Sequence, residues 1–119
     1  MTAARIVSFR NAVEPHHSVP DPETLLDGDP KLTVWNHYSD GTQQFHAGVW
    51  AATRGTWRVR YTEHEFCHIL SGRVVIASEA ERVEFGAGDS FVVPAGFVGT
   101  WEVVADCRKL YALFEPAKR

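Results

Sequence analysis

The chain has 119 residues with a formal net charge of −3, and 45% of them are hydrophobic. This length fits one compact domain, and the hydrophobic content, which includes four tryptophans, excludes a disordered chain. The chain has no run of Lys or Arg, which argues against nucleic acid as a partner. No apolar stretch is long enough for a signal peptide or a membrane span. We therefore expect a cytoplasmic protein without a membrane partner, in which Cys67 and Cys107 are free, buried thiols.

Residues 1–31 are expected to form an extended, proline-rich N-terminal arm rather than part of the core. Four prolines interrupt strand pairing there, and apolar residues are sparse. One helical turn is predicted over residues 21–26, with Asp21 as its N-cap and Gly28 after its end. The arm either lies along a partner subunit or is unstructured, and the composition slightly favours order.

From Leu32 onward the hydrophobic pattern has a period of two, which predicts β-strands. Turn signals recur roughly every ten residues and no helical period is present, so residues 32–119 are expected to form one antiparallel sandwich or barrel. The predicted strands cover residues 32–38, 43–52, 57–61, 66–70, 73–78, 83–85, 90–93, 101–104 and 108–114.

Two spaced motifs select between these architectures. Six residues separate Glu65 from Gly72, and Gly88-Asp89 is followed by Pro94-Ala95-Gly96. Further matching residues are Gly48-Val49-Trp50, Gly55, Gly99-Thr100-Trp101-Glu102-Val103 and Arg108-Lys109-Leu110-Tyr111. Together they resemble the two cupin motifs, and the segment resembles the small single-domain cupins related to (S)-ureidoglycine aminohydrolase. The resemblance implies an all-β cupin jelly-roll barrel (a double-stranded β-helix), with glycines where the backbone needs a positive φ or a close approach.

The same resemblance implies that the metal ligands are missing. Metal-binding cupins direct three histidines and one glutamate into the barrel, and here only Glu65 is in place. The histidine positions of the first motif fall on Val59 and Tyr61, or with a longer spacer on Arg58 and Arg60. Alternation favours the first pair, because the arginines belong outside. The position in the second motif is Gly99, and a lone carboxylate does not hold a transition metal. We expect no metal and no other cofactor.

Existing histidines offer one alternative, an unconventional metal site of His46, His64 or His68 with Glu65. On one strand, His64 and His68 point to the face opposite Glu65, whereas His46 could approach from inside the barrel. Surface or interface histidines are the favoured interpretation.

The candidate catalytic residues are Glu65 and Tyr61. The candidate ligand-binding residues are Trp57, Trp101, Cys67, Lys109, Tyr111 and His46. A glutamate among aromatic side chains loses hydration, which favours its neutral form and suits acid–base chemistry on a small polar ligand. Hydrolysis is not expected, because activation of water at neutral pH usually uses a metal. The structural alternative is a Glu65 paired with Lys109 or Tyr61, with tryptophans and Cys67 that only fill the core.

The expected ligand is a small polar metabolite such as a ureide, a sugar acid or an amino-acid derivative. A non-catalytic ligand-binding or accessory protein is the rival function, and a metal-dependent enzyme with unconventional ligands is a weaker third. Outward residues such as Phe66 and Leu70 are apolar, so the outer sheet face should be covered by the arm or by a second subunit. Together with the cupin resemblance, this pattern implies a homodimer.

Overall fold

The computed structural model describes residues 3–117, which contain nine strands and no helix. The strands are β1 (His16–Ser18), β2 (Leu25–Gly28), β3 (Leu32–Ser39), β4 (Phe45–Ala52), β5 (Gly55–Arg60), β6 (His64–Ala77), β7 (Arg82–Gly86), β8 (Ser90–Val93) and β9 (Val98–Phe114). They pair antiparallel throughout and form one strongly curled sheet, so the predicted all-β barrel is confirmed. None of the described residues forms a helix long and apolar enough to cross a bilayer.

Two long strands, β6 and β9, connect the halves of the barrel. On one side β9 pairs with β6, and on the other it pairs with β5 over residues 98–103 and with β4 over residues 107–114. The outer edge of β6 pairs first with β8 and then with β7. One half of the barrel therefore runs β1-β3-β4-β9-β6-β8, and the other runs β2-β5-β9-β6-β7.

Neither β6 nor β9 ends where the sequence pattern placed a break. Gly72 was expected in a tight turn, and it has the positive φ of 89° that such a position needs, but it lies inside β6. The pairing register with β9 shifts around it, as in a β-bulge. A Cβ atom on Gly72 would lie 2.2 Å from the carbonyl oxygen of Asp106, so close approach of the two strands requires a glycine there.

The N-terminal arm contributes two strands to the sheet. β1 pairs with β3 and β2 pairs with β5, each at an edge. The predicted helical turn is wrong beyond residue 24. The Thr24 N–H donates to the Asp21 carbonyl oxygen at 2.8 Å, but the chain then enters β2 at Leu25. Over these residues the arm is part of the sheet.

The core lies on the inner face of the curled sheet. Its most buried members include Ile69, Val74 and Trp101. Trp57 and Val59 face inward while Arg58 and Arg60 are exposed, which confirms the predicted register of β5. Both cysteines are free and buried, as predicted.

Candidate functional site

The interior of the barrel contains a buried ion pair between Glu65 on β6 and Lys109 on β9. Lys109 Nζ lies 3.0 Å from Glu65 Oε2, and the two residues are only 2% and 8% exposed. Residues paired across an antiparallel ladder share a face. Because Lys109 pairs with the buried Ile69 and Glu65 alternates with Cys67 on β6, both charged side chains point inward.

Tyr61 holds the second oxygen of the same carboxylate. Its hydroxyl group donates to Glu65 Oε1 at 2.8 Å. Tyr61 follows β5 and is fixed by two backbone hydrogen bonds, from its N–H to the Phe97 carbonyl and from the Gly96 N–H to its own carbonyl. Burial, followed by the charge of Glu65, raises the pKa of Tyr61 well above its usual value. Tyr61 is therefore a neutral hydrogen-bond donor at physiological pH.

The ammonium group of Lys109 lies between two indole rings. Its Nζ is 4.5 Å from the ring centroid of Trp50 and 4.2 Å from that of Trp101, within cation–π range. Burial is the largest single effect and would lower the pKa of Lys109, but the charge and hydrogen bond of Glu65 together with the contact to Cys67 outweigh it, and the net shift is upward. Lys109 therefore remains a cation inside the barrel.

Cys67 contacts the same cation, with its Sγ 3.4 Å from Lys109 Nζ. Burial raises the pKa of the Cys67 thiol to about 12, although Lys109 acts in the opposite direction. The side chain is completely buried. Cys67 is therefore a neutral core thiol rather than a reactive thiolate.

These contacts change the expected role of Glu65. Acid–base chemistry at Glu65 requires a carboxylate that burial leaves without a compensating charge. In the structure Lys109 and Tyr61 bind one carboxylate oxygen each, as in the structural alternative.

Two adjoining cavities share Trp50 and Glu65 in their walls. The smaller has a volume of about 130 Å³ and is lined by Leu32, Trp50, Trp57, Tyr61, Glu65, Trp101 and Lys109. The larger, of about 220 Å³, is lined by Val34, Asn36, His46, Trp50, Glu65, Tyr111 and Leu113. Seven of the eight predicted site residues line one or both cavities, and Cys67 lines neither.

Trp50 was not predicted as a site residue. It lies four positions after His46 on β4, so period-two alternation places both side chains on the same face. Trp50 also pairs across the strands with Lys109. The alternation that predicts an inward His46 therefore also predicts an inward Trp50.

A chain of hydrogen bonds connects Tyr111, Asn36 and His46 in the wall of the larger cavity. The Tyr111 hydroxyl donates to Asn36 Oδ1 at 2.6 Å, Asn36 Nδ2 donates to Ser39 Oγ at 2.8 Å, and Ser39 Oγ lies 2.6 Å from His46 Nδ1. His46 Nε2 lies 3.0 Å from the Gln43 carbonyl oxygen. Because a carbonyl oxygen can only accept, Nε2 donates to it, and in the neutral ring Nδ1 accepts from Ser39. Both nitrogens of His46 are thus engaged.

A third cavity, of about 100 Å³, opens between β7 and β8. Phe85 and Phe91 stack in its wall with centroids 3.9 Å apart, and Glu81 is the one ionisable residue in its lining. The functional groups that converge on one point are those around Glu65, so the candidate site is the interior of the barrel.

The residues around Glu65 do not fit a metal ion. Among residues 3–117, no three His, Cys, Asp or Glu side chains lie close enough together to bind one. His64 Nδ1 accepts from the Ala95 N–H, and His68 Nδ1 lies 2.7 Å from Ser90 Oγ on the outer face. A side chain at Gly99 is blocked, because its Cβ would lie 2.0 Å from the Ala77 carbonyl oxygen. The partners of Glu65 are an ammonium group and a phenol, neither of which suits a cation.

A curled antiparallel barrel that directs the glutamate of a Glu-x6-Gly motif into its interior is typical of a cupin. The chain belongs to the family of EutQ-like cupin domains, which its residues 40–111 match. Among curated proteins, no match to the sequence is found.

Solved structures share the fold of this chain. The chain is 26% identical to a DUF861-family protein of unknown function from Pseudomonas syringae, with a TM-score of 0.78 over 90% of this chain and 46% of that one. It is 30% identical to a DUF861-family protein from Thermotoga maritima, with a TM-score of 0.54 over 56% of this chain and 76% of that one. The EutQ protein of Clostridium difficile shares the fold at 14% identity, with a TM-score of 0.64 over 72% of this chain and 64% of that one. The chain thus spans less than two thirds of the P. syringae and C. difficile chains.

Proposed function

We propose that this protein binds a small polar metabolite inside its barrel, in the cavities beside Glu65, without a metal ion. The observation that carries the proposal is the buried Glu65–Lys109 ion pair in the cavity wall. Apolar residues in place of a buried ion pair are often neutral or stabilising, so stability alone is a weak reason for such a pair. Indole faces beside converging polar groups are typical of small-molecule sites.

The ligand class in this proposal comes from the sequence motifs. A relationship to the (S)-ureidoglycine aminohydrolase group, which the motifs resemble, favours ureides, sugar acids and amino-acid derivatives as ligands. A cytoplasmic location is part of the proposal, and the two free, buried cysteines support a reducing compartment.

A thermal-shift screen of the full chain against these three classes tests the proposal. A ligand at 100 times its Kd adds about 2.7 kcal/mol to the free energy of unfolding and raises Tm accordingly. Trp50→Leu should abolish the shift, because Trp50 lines both cavities. Trp35→Leu is the matched control, since Trp35 is the β3 neighbour of the inward Val34 and points outward. The proposal is contradicted if no compound in the screen raises Tm, or if the Tm shift persists in Trp50→Leu.

Acid–base catalysis at Glu65 is the second candidate function. The hydrogen bond from Tyr61 to Glu65 at the wall of the smaller cavity favours it, because a neutral acid and a carboxylate would both face the ligand. Ligand binding remains the leading candidate, because both carboxylate oxygens of Glu65 already have hydrogen-bond partners. With a ligand identified, Glu65→Gln separates the two candidates: turnover lost while binding persists supports catalysis, and no turnover in either protein supports binding alone.

Elemental analysis of protein purified without added metal tests metal independence, and a stoichiometric metal would refute it.

We further propose that two copies of the chain associate through the outer face of the half-barrel that contains β8, β6, β9 and β4. Phe66, Val92 and Phe114 on that face are 46%, 59% and 45% exposed. Phe66 pairs with both Val92 and Ala112, so these residues form a continuous apolar row. Sedimentation analysis should show a dimer that Phe66→Asp dissociates, whereas Val98→Asp, at an exposed position of the other half, should leave it intact. A monomeric wild-type protein contradicts this proposal.

A further inference from the structure

The indole N–H of Trp101 is buried without an acceptor. Trp101 is 2% exposed, and its Nε1 has no hydrogen-bond partner within the described part of the chain. A contact between this N–H and the Tyr61 hydroxyl lowers the pKa of Tyr61 against larger upward effects, but its geometry is not that of a hydrogen bond. Both residues line the smaller cavity. Buried donors are almost always paired, so an acceptor is expected in this cavity.

Lys109 is a second donor in the same wall. Its ammonium group has three N–H donors. Among residues 3–117 it has two acceptors, Glu65 Oε2 and Cys67 Sγ. Its remaining contacts are the faces of Trp50 and Trp101, which are weaker partners than an oxygen atom. The ammonium group therefore has donor capacity left for a ligand.

The charges in this cavity already cancel. Glu65 and Lys109 are the charged residues among those that line it. A carboxylate ligand would place a second negative charge near Glu65, and an ammonium ligand would place a second positive charge near Lys109. Either would lose hydration without a compensating partner. The cavity thus favours a ligand without net charge.

We propose that the smaller cavity binds the amide group of an electrically neutral ligand. The carbonyl oxygen accepts a hydrogen bond from Trp101 Nε1–H, the nearby ammonium group of Lys109 stabilises the partial negative charge of that oxygen, and the amide N–H donates to Glu65. An ionised carboxylate has about four acceptor positions, and Tyr61 and Lys109 use two of them, so Glu65 can accept another bond. This inference rests on the proposed function and narrows its ligand class, because it excludes sugar acids from this cavity.

Three small molecules of one shape test the inference: acetamide, acetate and acetamidinium. We would titrate each into uniformly ¹⁵N-labelled full-length protein and follow the indole N–H signals of its four tryptophans by NMR. Trp101→Phe assigns the Trp101 signal. Acetamide should shift that signal saturably, and each charged probe should bind at least about ten-fold more weakly, the factor that one lost hydrogen bond or an uncompensated charge produces.

The variants provide matched controls. Trp101→Phe should weaken acetamide binding about ten-fold, because it removes one hydrogen bond. Trp35→Phe removes the same volume at a tryptophan that does not line the cavity, so it should change the affinity by less than about three-fold. If Trp101→Phe fails to fold, sequential assignment of the wild-type spectrum still identifies the signal, and the three probes decide the question.

The outcomes separate this inference from the proposed function. Acetate that binds as tightly as acetamide, or any screened ligand that shifts the Trp50 signal and leaves Trp101 unchanged, overturns the inference while binding in the barrel stands. If acetamide leaves every indole signal unchanged, the inference also fails. If in addition no compound of the wider screen binds, the proposed function fails with it.

Discussion

Replacement of Lys109 by methionine removes the cation from the centre of the barrel and keeps the shape of most of its side chain. Glu65 would then be a buried carboxylate that keeps only the Tyr61 hydroxyl as a hydrogen-bond donor. Removal of one partner of a buried pair typically costs about 3–5 kcal/mol, because the remaining charge is uncompensated. For a domain of this size that corresponds to a fall in Tm on the order of 15 °C.

The pH dependence of this loss has a definite sign. In the wild-type protein the pKa of Lys109 is raised on folding. Its contribution is therefore complete below the unfolded-state pKa of about 10.4 and disappears only as the pH rises through the higher folded-state value. In Lys109→Met the buried carboxylate loses its penalty when it is protonated. The variant should thus be less stable at about pH 8 than at about pH 5, whereas the contribution of Lys109 to the wild type is the same at both.

Urea unfolding of four proteins measures the effect: wild type, Lys109→Met, Glu65→Gln and the double variant. Because the double variant contains no uncompensated charge, its loss should be smaller than the sum of the single losses by at least about 2 kcal/mol. Lys31→Met is the control, since its ion pair with Asp29 is exposed at 3.1 Å and should contribute less than about 1 kcal/mol. Additive single losses, or a Lys109→Met protein without pH dependence, would refute the reasoning.

Three further predictions concern the residues around this pair. Tyr61→Phe should lower the free energy of unfolding by about 1.5–3 kcal/mol, the range for a hydrogen bond to a charged acceptor, and a change near zero would mean that the bond to Glu65 contributes nothing. Gly99→Ala should destabilise by more than about 3 kcal/mol or prevent folding, because its Cβ would lie 2.0 Å from a backbone carbonyl oxygen, whereas Gly41→Ala, with open space around it, should be nearly neutral in the same denaturation assay. The Cys67 thiol, with its pKa raised to about 12 by burial, should resist alkylation at about pH 8 until the protein unfolds, as mass spectrometry of labelled peptides would show, and fast labelling of the native protein would contradict this.

The strands of the barrel were predictable where side chains alternate cleanly. Trp57 and Val59 face inward and the neighbouring arginines outward, as the period of two required. The continuity of β6 was not predictable, because a glycine in a bulge and a glycine in a hairpin turn look alike in sequence. The prolines of the arm predicted no strand there, but proline is unfavourable only in central strands. Both β1 and β2 lie at edges, where unpaired N–H groups are tolerated.

The predictable part of the site is the inward position of Glu65, which the motif spacing fixes. The partners of Glu65 come from β9 and from the residue after β5. Both are predicted from the sequence, but the sequence does not distinguish a structural ion pair from a catalytic group. The hydrogen bonds of Asn36 and Ser39 were missed. The pairing of β3 with β4 shifts register between Asn36 and Tyr38, and no alternation pattern reveals such a bulge.

The ion pair and the unpaired indole N–H both indicate a ligand-binding interior, because neither is needed for a stable core. A double substitution of Glu65 and Lys109 by apolar residues of similar volume removes two desolvated charges, and such changes are often neutral or stabilising by about 1–4 kcal/mol. A phenylalanine at Trp101 would remove a donor that has no acceptor among residues 3–117. If the interior served stability alone, an apolar variant of this kind would keep everything the protein needs. On our reasoning the apolar double variant keeps its Tm and loses its ligand, so unchanged binding by that folded variant would show that these polar groups do not form the site.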